Sequence, residues 1–148
     1  MTHITTAIDI VATPSEVFPW LIEPDLLARW IGGFVSSEAL TDPPTRAGSR
    51  SRDVLEEKGR FRLVIETEIT EFVADRRLSV HLRYDGGESD DQYDLEPVGR
   101  GTRLTYVSDV RLKGPMRLLS RAISPQLRAR AERDLASLRD LVEADRGA

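Results

Sequence analysis

The sequence contains no cysteine and only two histidines among its 148 residues. Without cysteine there are no disulfide bonds, thiolate nucleophiles or thiolate metal ligands. The histidines, His3 and His81, are too few for a His-rich metal centre, and neither is well placed as a general base. We therefore expect no metal and no cofactor.

Long apolar runs are also missing. No stretch reaches the eighteen or so apolar residues that a membrane-spanning helix needs. Residues 1–9 lack the basic and apolar segments of a signal peptide, so we expect a cytoplasmic protein. A chain with 40% apolar and 31% charged residues is typical of a globular protein, and we expect one domain over residues 1–148.

Charge is unevenly distributed along the chain. The formal net charge of −4 argues against general nucleic-acid binding. Basic residues nevertheless collect near the C-terminus: Arg111, Lys113, Arg117, Arg121, Arg128, Arg130 and Arg133. The plain interpretation is a solvated helix face, and the alternative is peripheral contact with an anionic membrane.

Helices are predicted near both ends. Thr13, Pro14 and Glu16 form the pattern of a capping box, Pro19 should kink the helix that follows, and Pro24 should open a second short helix ending near Trp30. A long C-terminal helix is predicted over 125–143, after an apolar turn at 115–122. Ser124 is its predicted N-cap and Pro125 its first residue. Its apolar face comprises Leu127, Ala131, Leu135, Leu138, Leu141 and Val142.

Between the helices the hydrophobic period changes to two, which predicts strands joined by hairpin-like turns. The predicted strands are 4–11, 34–40, 49–55, 60–72, 78–84, 92–96 and 102–112, separated by turns such as Glu57-Lys58-Gly59. The alternation slips between Ile69 and Phe72, which predicts a β-bulge. Alternation also places His81 on the outward face.

The orientation of Ser51 and Asp53 stays open at this level. One phase of their strand directs both side chains inward, where the carboxylate would need a partner such as Arg50 or Arg52 and would be a candidate acid or base. The interpretation we favour is an exposed hairpin with alternating charge.

Several stretches resemble the START-like superfamily, also called SRPBCC, and within it the bacterial polyketide cyclase/dehydrase and lipid-transport-like group. The residues that carry the resemblance are Ala12 to Phe18, Glu23-Pro24-Asp25 with Trp30, Glu68 to Phe72, Asp75 to Leu78, Tyr93 to Pro97 and Gly101 to Thr105. No single motif is specific, but their order and spacing match the group over nearly the whole chain.

The resemblance implies an α+β helix-grip fold of the START/Bet v 1-like type. In this fold a curved seven-stranded antiparallel sheet wraps a long C-terminal helix, with two short helices after the first strand. It also implies an internal cavity for a hydrophobic small molecule. Trp30 is expected to line or gate the mouth of this cavity, and the alternative is that it only seals the helix elbow against the sheet. Periodicity and resemblance together give the rest of the expected ligand-binding lining: Leu63, Ile65, Thr67, Val80, Leu82, Tyr84, Tyr93, Tyr106, Ser108, Val110, Leu127, Ala131 and Leu135. Each of these residues has packing in a filled core as its alternative.

Three functions follow from these patterns. We expect first a binding or transport protein for a lipid, polyketide or aromatic compound, because no acid–base pair is assembled in the sequence. The second is a polyketide cyclase, aromatase or dehydrase, with Tyr84, Tyr93, Tyr106, Ser108 and Asp53 as candidate orienting groups. The third is a protein-interaction module. The sequence assigns no catalytic residue and leaves both monomer and homodimer open.

Overall fold

The computed structural model describes residues 1–57 and 61–147. Its strands are β1 (Thr2–Ile10), β2 (Phe34–Ala39), β3 (Arg50–Glu57), β4 (Phe61–Val73), β5 (Arg77–Tyr84), β6 (Gly87–Val98) and β7 (Gly101–Leu112). Its helices are α1 (Pro14–Val17), α2 (Pro19–Ile22), α3 (Pro24–Trp30) and α4 (Ser120–Arg146), with a 3₁₀ helix at Gly114–Leu119. Lys58 and Gly59, assigned to a turn, and Arg60, assigned to a strand start, lie outside the described residues.

All seven strands form one antiparallel sheet in the order β1-β7-β6-β5-β4-β3-β2. This confirms the predicted architecture. The β4–β5 register shifts between Ile69 and Glu71, where the sequence predicts a bulge. Strand β6 is longer than predicted: it begins at Gly87 rather than at Gln92. This extension adds two inward-facing positions, Ser89 and Asp91, to those predicted from the sequence.

The chain between β1 and β2 forms short helices punctuated by proline. The capping box is present, because the Glu16 amide donates to Thr13 Oγ1 at 3.3 Å and the Thr13 amide donates to Glu16 Oε1 at 2.9 Å. Pro19 divides the first predicted helix into α1 and α2, since proline cannot donate the intrahelical bond. Pro24 then begins α3.

Helix α4 starts earlier than predicted, at Ser120, so Ser124 is not its N-cap. The Ser124 hydroxyl instead donates to the Ser120 carbonyl within the helix, at 2.7 Å. Pro125 lies in the second turn, where the only intrahelical bond it removes is the one to the carbonyl of Arg121, an exposed residue. The helix therefore tolerates Pro125 and extends upstream to the 3₁₀ segment.

Helix α4 follows the edge strand β1 along its length. Arg128 Nη1 donates to the Thr5 carbonyl at 3.0 Å, and the Val11 amide donates to Glu143 Oε2 at 2.8 Å. These bonds satisfy backbone groups that an edge strand would otherwise leave unpaired. They fix the helix over one side of the sheet.

The densest part of the core lies where α1 to α3 meet α4 and the sheet. Its most buried side chains include Ile10, Val17, Leu104, Leu138 and Val142. Each side chain of this kind contributes about 1.5–3 kcal/mol by leaving water. Several inward-facing residues toward the opposite end of the sheet do not belong to this buried cluster: Leu63, Thr67, Leu82, Tyr84, Leu127 and Ala131. The packing is therefore uneven along the concave face.

Candidate functional site

The strand register brings the predicted sheet residues onto one face. Tyr106 pairs with Tyr93, and Ser108 lies in the same register row as Val80. Residues directly opposite one another in antiparallel strands point to the same side of the sheet. By this rule the shared concave face carries Leu63, Ile65, Thr67, Val80, Leu82, Tyr84, Tyr93, Tyr106, Ser108 and Val110.

Burial divides this set in two. Ile65, Ser108 and Val110 are buried, as is Leu135 from α4. The others remain partly exposed: Leu63, Thr67, Val80, Leu82, Tyr84, Tyr93 and Tyr106 from the sheet, and Leu127 and Ala131 from α4. Strands β4 and β5 lie well inside the sheet, so exposure of their inward side chains indicates that α4 does not cover them completely.

Trp30 ends α3 and forms one wall of a cleft. The cleft has a volume of about 570 Å³ and runs between the α3–β2 turn, the start of β4 and the middle of α4. The indole Nε1 of Trp30 donates to the Trp20 carbonyl at 2.8 Å, which fixes the ring in its buried position. Leu55 and Phe61 line the same cleft.

The polar side of this cleft comes from α4. Asp134 Oδ1 accepts from the Gly32 amide at 3.2 Å, and Arg130 Nε lies 3.8 Å from Asp134 Oδ2. Burial raises the pKa of Asp134, against the lowering effects of the Gly32 bond and of the nearby arginines. The carboxylate therefore ties α4 to the α3–β2 turn at the edge of the cleft.

A buried carboxylate, Asp91, lies at the centre of the concave face. Ser108 Oγ donates to its Oδ1 at 2.6 Å, and the Tyr106 hydroxyl donates to its Oδ2 at 3.0 Å. Asp91 is 8% exposed, and burial raises its pKa to about 6 although both hydrogen bonds act to lower it. No cation pairs with it among residues 1–57 and 61–147.

Tyr93 lies beside this carboxylate and connects it to the cleft wall. Its ring meets Trp30 edge to face at 6.4 Å between centroids and lies 5.0 Å from the Tyr106 ring. Burial, with the charges of Asp91 and Asp134, raises its pKa well above the usual value. Among the described residues its hydroxyl has no hydrogen-bond partner.

The Tyr93 hydroxyl also borders open space. In the described part of the chain, no fully buried side-chain oxygen or nitrogen lacks a hydrogen-bond partner. The unpartnered Tyr93 hydroxyl is therefore not fully buried, although protein surrounds the residue deep in the fold. An accessible hydroxyl on the concave face, beside a buried carboxylate, is a group that water or a ligand could contact.

Asp53 faces inward, so the exposed-hairpin interpretation was wrong. Its Oδ1 accepts from Ser37 at 2.6 Å and from Ser51 at 3.0 Å, and its Oδ2 accepts from Thr67 at 2.8 Å. The arginines named as partners do not supply these bonds: Arg52 lies 3.6 Å from Glu38 instead. Three hydroxyls satisfy the carboxylate where a cation was expected.

The two histidines lie on the outward face, as predicted for His81. His81 Nδ1 lies 2.7 Å from Asp90, and His3 Nδ1 lies 2.6 Å from Asp109. Among the described residues, no group of three or more potential ligands could hold a metal ion. No helix in that part of the chain is long and apolar enough to cross a membrane.

Sequence reasoning missed Asp91. The strand predicted from the alternation begins at Gln92, so Asp91 falls just outside it and is assigned to neither face. A signal was present, because extending the alternation of Tyr93 and Leu95 backwards places Asp91 and Ser89 on the inward face.

Comparisons with solved structures support the fold. TTHA0849 of Thermus thermophilus is 22% identical, with a TM-score of 0.76 over 97% of this chain and 98% of its own. Ara h 8.0201 is 11% identical, with a TM-score of 0.76 over 96% of this chain and 97% of its own.

DynU16, a protein of the dynemicin biosynthetic locus, is 17% identical with a TM-score of 0.71. The match covers 97% of this chain and 48% of DynU16. A comparison with curated proteins finds no match. The family model for polyketide cyclase/dehydrase and lipid transport proteins matches residues 1–143. With the seven-stranded sheet and long C-terminal helix, this match shows that the chain belongs to that family, within the SRPBCC superfamily.

Proposed function

We propose that the protein binds a hydrophobic small molecule between the concave face of the sheet and α4. The observation that carries the proposal is the accessible hydroxyl of Tyr93 on a concave face whose apolar side chains, such as Val80 and Leu82, remain partly exposed. Apolar walls with a few convergent polar groups are typical of small-molecule sites. The family, which includes lipid transport proteins, supports the same function.

The cleft beside Trp30 is the proposed entrance. Trp30 lines the cleft on one side and touches Tyr93 on the other, so it separates the outside from the interior space. Movement of the Trp30 ring would connect the cleft with the interior space. The charged residues Arg130 and Asp134 at the cleft would remain in contact with water.

The test is native mass spectrometry of gently purified protein, followed by extraction and identification of any adduct. We expect a defined adduct of a few hundred daltons, the size range that pockets of several hundred Å³ accommodate. The Leu82→Trp variant should lose it, because the added ring fills the concave face. Arg83→Trp is the matched control, since Arg83 follows Leu82 on the same strand and is exposed on the opposite face.

A binding signal that survives Leu82→Trp unchanged would contradict an internal site. An interior that takes up no small molecule, either from the cell or from added apolar probes, would instead favour the protein-interaction module.

A second candidate function is polyketide cyclase or dehydrase chemistry, and Asp91 is the observation that favours it. A carboxylate with a pKa of about 6 can accept a proton near neutral pH. It could take the α-proton of a bound ketone. The C–H electron pair would form the C=C bond of the enolate, the C=O π pair would move onto the oxygen, and the Tyr93 hydroxyl would donate to that oxygen. Turnover of a poly-β-ketone should then fall in Asp91→Asn, and unchanged turnover would exclude this role.

Peripheral contact with an anionic membrane is proposed for the 3₁₀ segment. Leu118 and Leu119 are 89% and 45% exposed there, next to exposed Arg117 and Arg121. Apolar insertion and basic attraction act together at such surfaces. Vesicles containing phosphatidylserine should bind the protein less as salt rises, and Leu118→Ser should weaken binding. Val11→Ser, at another exposed apolar position, is the control and should not.

A further inference from the structure

The interior polar site contains an acceptor and a donor side by side. When Asp91 is ionised, it accepts hydrogen bonds but cannot donate them. The Tyr93 hydroxyl has no partner among the described residues and can donate one. The Tyr106 ring bridges them, 5.0 Å from the Tyr93 ring and with its hydroxyl 3.0 Å from Asp91 Oδ2. A single ligand oxygen placed between these groups could donate to one and accept from the other.

The site is also negative and has no cation to balance it among the residues that the structure describes. In the described ranges, the groups that hydrogen-bond to Asp91 on this face are the hydroxyls of Ser108 and Tyr106. From α4, the charge of Asp134 acts on Tyr93 and adds to the negative character of the site. A ligand carboxylate entering this space would meet like charges at low dielectric, and such repulsion is strong where water is excluded.

Asp91 retains capacity for another hydrogen bond. An ionised carboxylate has about four lone-pair sites on its two oxygens, and the structure uses one bond on each oxygen. A ligand hydroxyl could therefore add to the existing bonds without displacing Ser108 or Tyr106. An apolar ligand without a donor would leave the remaining capacity unused.

We propose that Asp91 and Tyr93 together select uncharged apolar ligands that carry a hydroxyl group and reject apolar ligands that carry a carboxylate. This inference rests on the proposed binding function and adds the ligand class. It assigns specificity to two residues of the same site: Asp91 accepts the ligand proton, and Tyr93 donates to the ligand oxygen.

Three probes with one ring system test the inference: 2-naphthol, 2-methoxynaphthalene and 2-naphthoate. Their dissociation constants are measured by calorimetry at about pH 8, where Asp91 is ionised. We expect 2-naphthol to bind about tenfold more tightly than the methyl ether, because hydrogen bonds to charged groups are among the stronger ones. We expect 2-naphthoate to bind at least about tenfold more weakly than 2-naphthol.

Two variants test how Asp91 and Tyr93 each contribute to the preference among these probes. Asp91→Asn removes the charge at nearly constant shape, so the preference for naphthol over naphthoate should fall by about tenfold. Tyr93→Phe should weaken naphthol binding by about fivefold, and it should weaken ether binding similarly, because the ether oxygen also accepts from Tyr93. The ratio of naphthol to ether binding should therefore fall in Asp91→Asn but not in Tyr93→Phe. Asp90→Asn is the matched control, since it removes the same charge from the adjacent residue on the outward face and should not alter the preference.

The possible outcomes distinguish a failure of the proposed ligand class from a failure of the proposed binding function. Equal binding of naphthol and its ether would overturn the ligand class while leaving cavity binding intact, and so would strong binding of naphthoate. Binding of none of the three probes to the wild type would overturn the proposed binding function and this inference with it. Thermal unfolding identifies a variant that fails to fold, and in that case the other variant decides.

Discussion

Asp90 and Asp91 are neighbours in the chain but lie in opposite environments, because successive side chains of β6 point to opposite faces of the sheet. Asp90 lies on the convex face, where His81 Nδ1 and Arg111 Nη2 both approach within 2.7 Å. Partial burial opposes ionisation there, but these two residues hold the pKa of Asp90 below its usual value. On the concave face, Asp91 has hydroxyl partners and a pKa of about 6.

The difference shows that position on the sheet, more than residue type, decides what a carboxylate does. The convex face pairs its acids with bases at the surface, an arrangement that usually contributes little to stability. On the concave face, the described partners of Asp91 and Asp53 are hydroxyls rather than cations. Burial makes the charge of Asp91 costly. Costly groups of this kind are frequent at functional sites.

The largest expected effect is the pH dependence of Asp91→Asn. The folded state holds the Asp91 proton more tightly than the unfolded chain does, with a pKa of about 6 against 3.8. Wild-type stability therefore falls as pH rises through this window, whereas the variant has no proton to lose. The free energy of unfolding of the variant minus that of the wild type should rise by about 3 kcal/mol between about pH 3.5 and pH 7.5.

Urea unfolding at the two pH values measures this difference. Asp90→Asn is the control and should show the opposite sign. The lowered pKa of Asp90 stabilises the wild type above its ordinary value of 3.8, and this stabilisation is lost as pH falls below that value. A difference between Asp91→Asn and the wild type that stays constant with pH would show that the environment of Asp91 does not oppose its charge.

A smaller effect is expected from Ser108→Ala. The substitution removes the 2.6 Å hydrogen bond to Asp91 in a buried site, which should lower the free energy of unfolding by about 1–3 kcal/mol near pH 7.5. The loss should be smaller near pH 4, where Asp91 is protonated. Ser79→Ala, with a 3.4 Å bond on the convex face, should cost less than about 1 kcal/mol. Equal losses of unfolding free energy in Ser108→Ala and Ser79→Ala would contradict the expected difference between the concave and convex faces.

The smallest effect is expected on the convex face. Arg111→Gln removes the charge that approaches Asp90 and Glu88, and the loss should be about 0–1 kcal/mol because both carboxylates are partly exposed. The loss should shrink further in about 1 M salt. The pH-dependent difference in the free energy of unfolding between Asp91→Asn and the wild type should change little in the same salt. A salt-sensitive Asp91 effect would mean that water reaches the carboxylate freely.

The architecture was predictable because local signals agreed with it. Alternation in β7 placed Tyr106 and Ser108 on the inward face, and the capping box at Thr13 and Glu16 set the start of the helices. The bulge near Ile69 also came from the period alone. Each of these signals lies within a single segment of the chain.

The polar sites were less predictable because their partners lie on other strands. The Asp91 site depends on Tyr106 and Ser108 of β7, and the Asp53 site depends on Ser37 and Thr67 of β2 and β4. Inward placement of a carboxylate is unfavourable until those partners are known, so composition favoured exposed hairpins. The start of α4 was misplaced for another reason, since Ser124 and Pro125 imitate a helix start inside a continuous helix.

The position of Trp30 makes its intrinsic fluorescence a probe of ligand entry. The chain has two tryptophans, and the ring of Trp30 forms the wall between the cleft and Tyr93. Trp20 is buried, with the Arg29 guanidinium 5.0 Å from its ring centroid. Emission from Trp30 should therefore shift when a molecule passes that wall, while Trp20 supplies a steady background. Comparing the wild type with Trp30→Phe would turn ordinary fluorescence into a record of how fast the interior fills and empties.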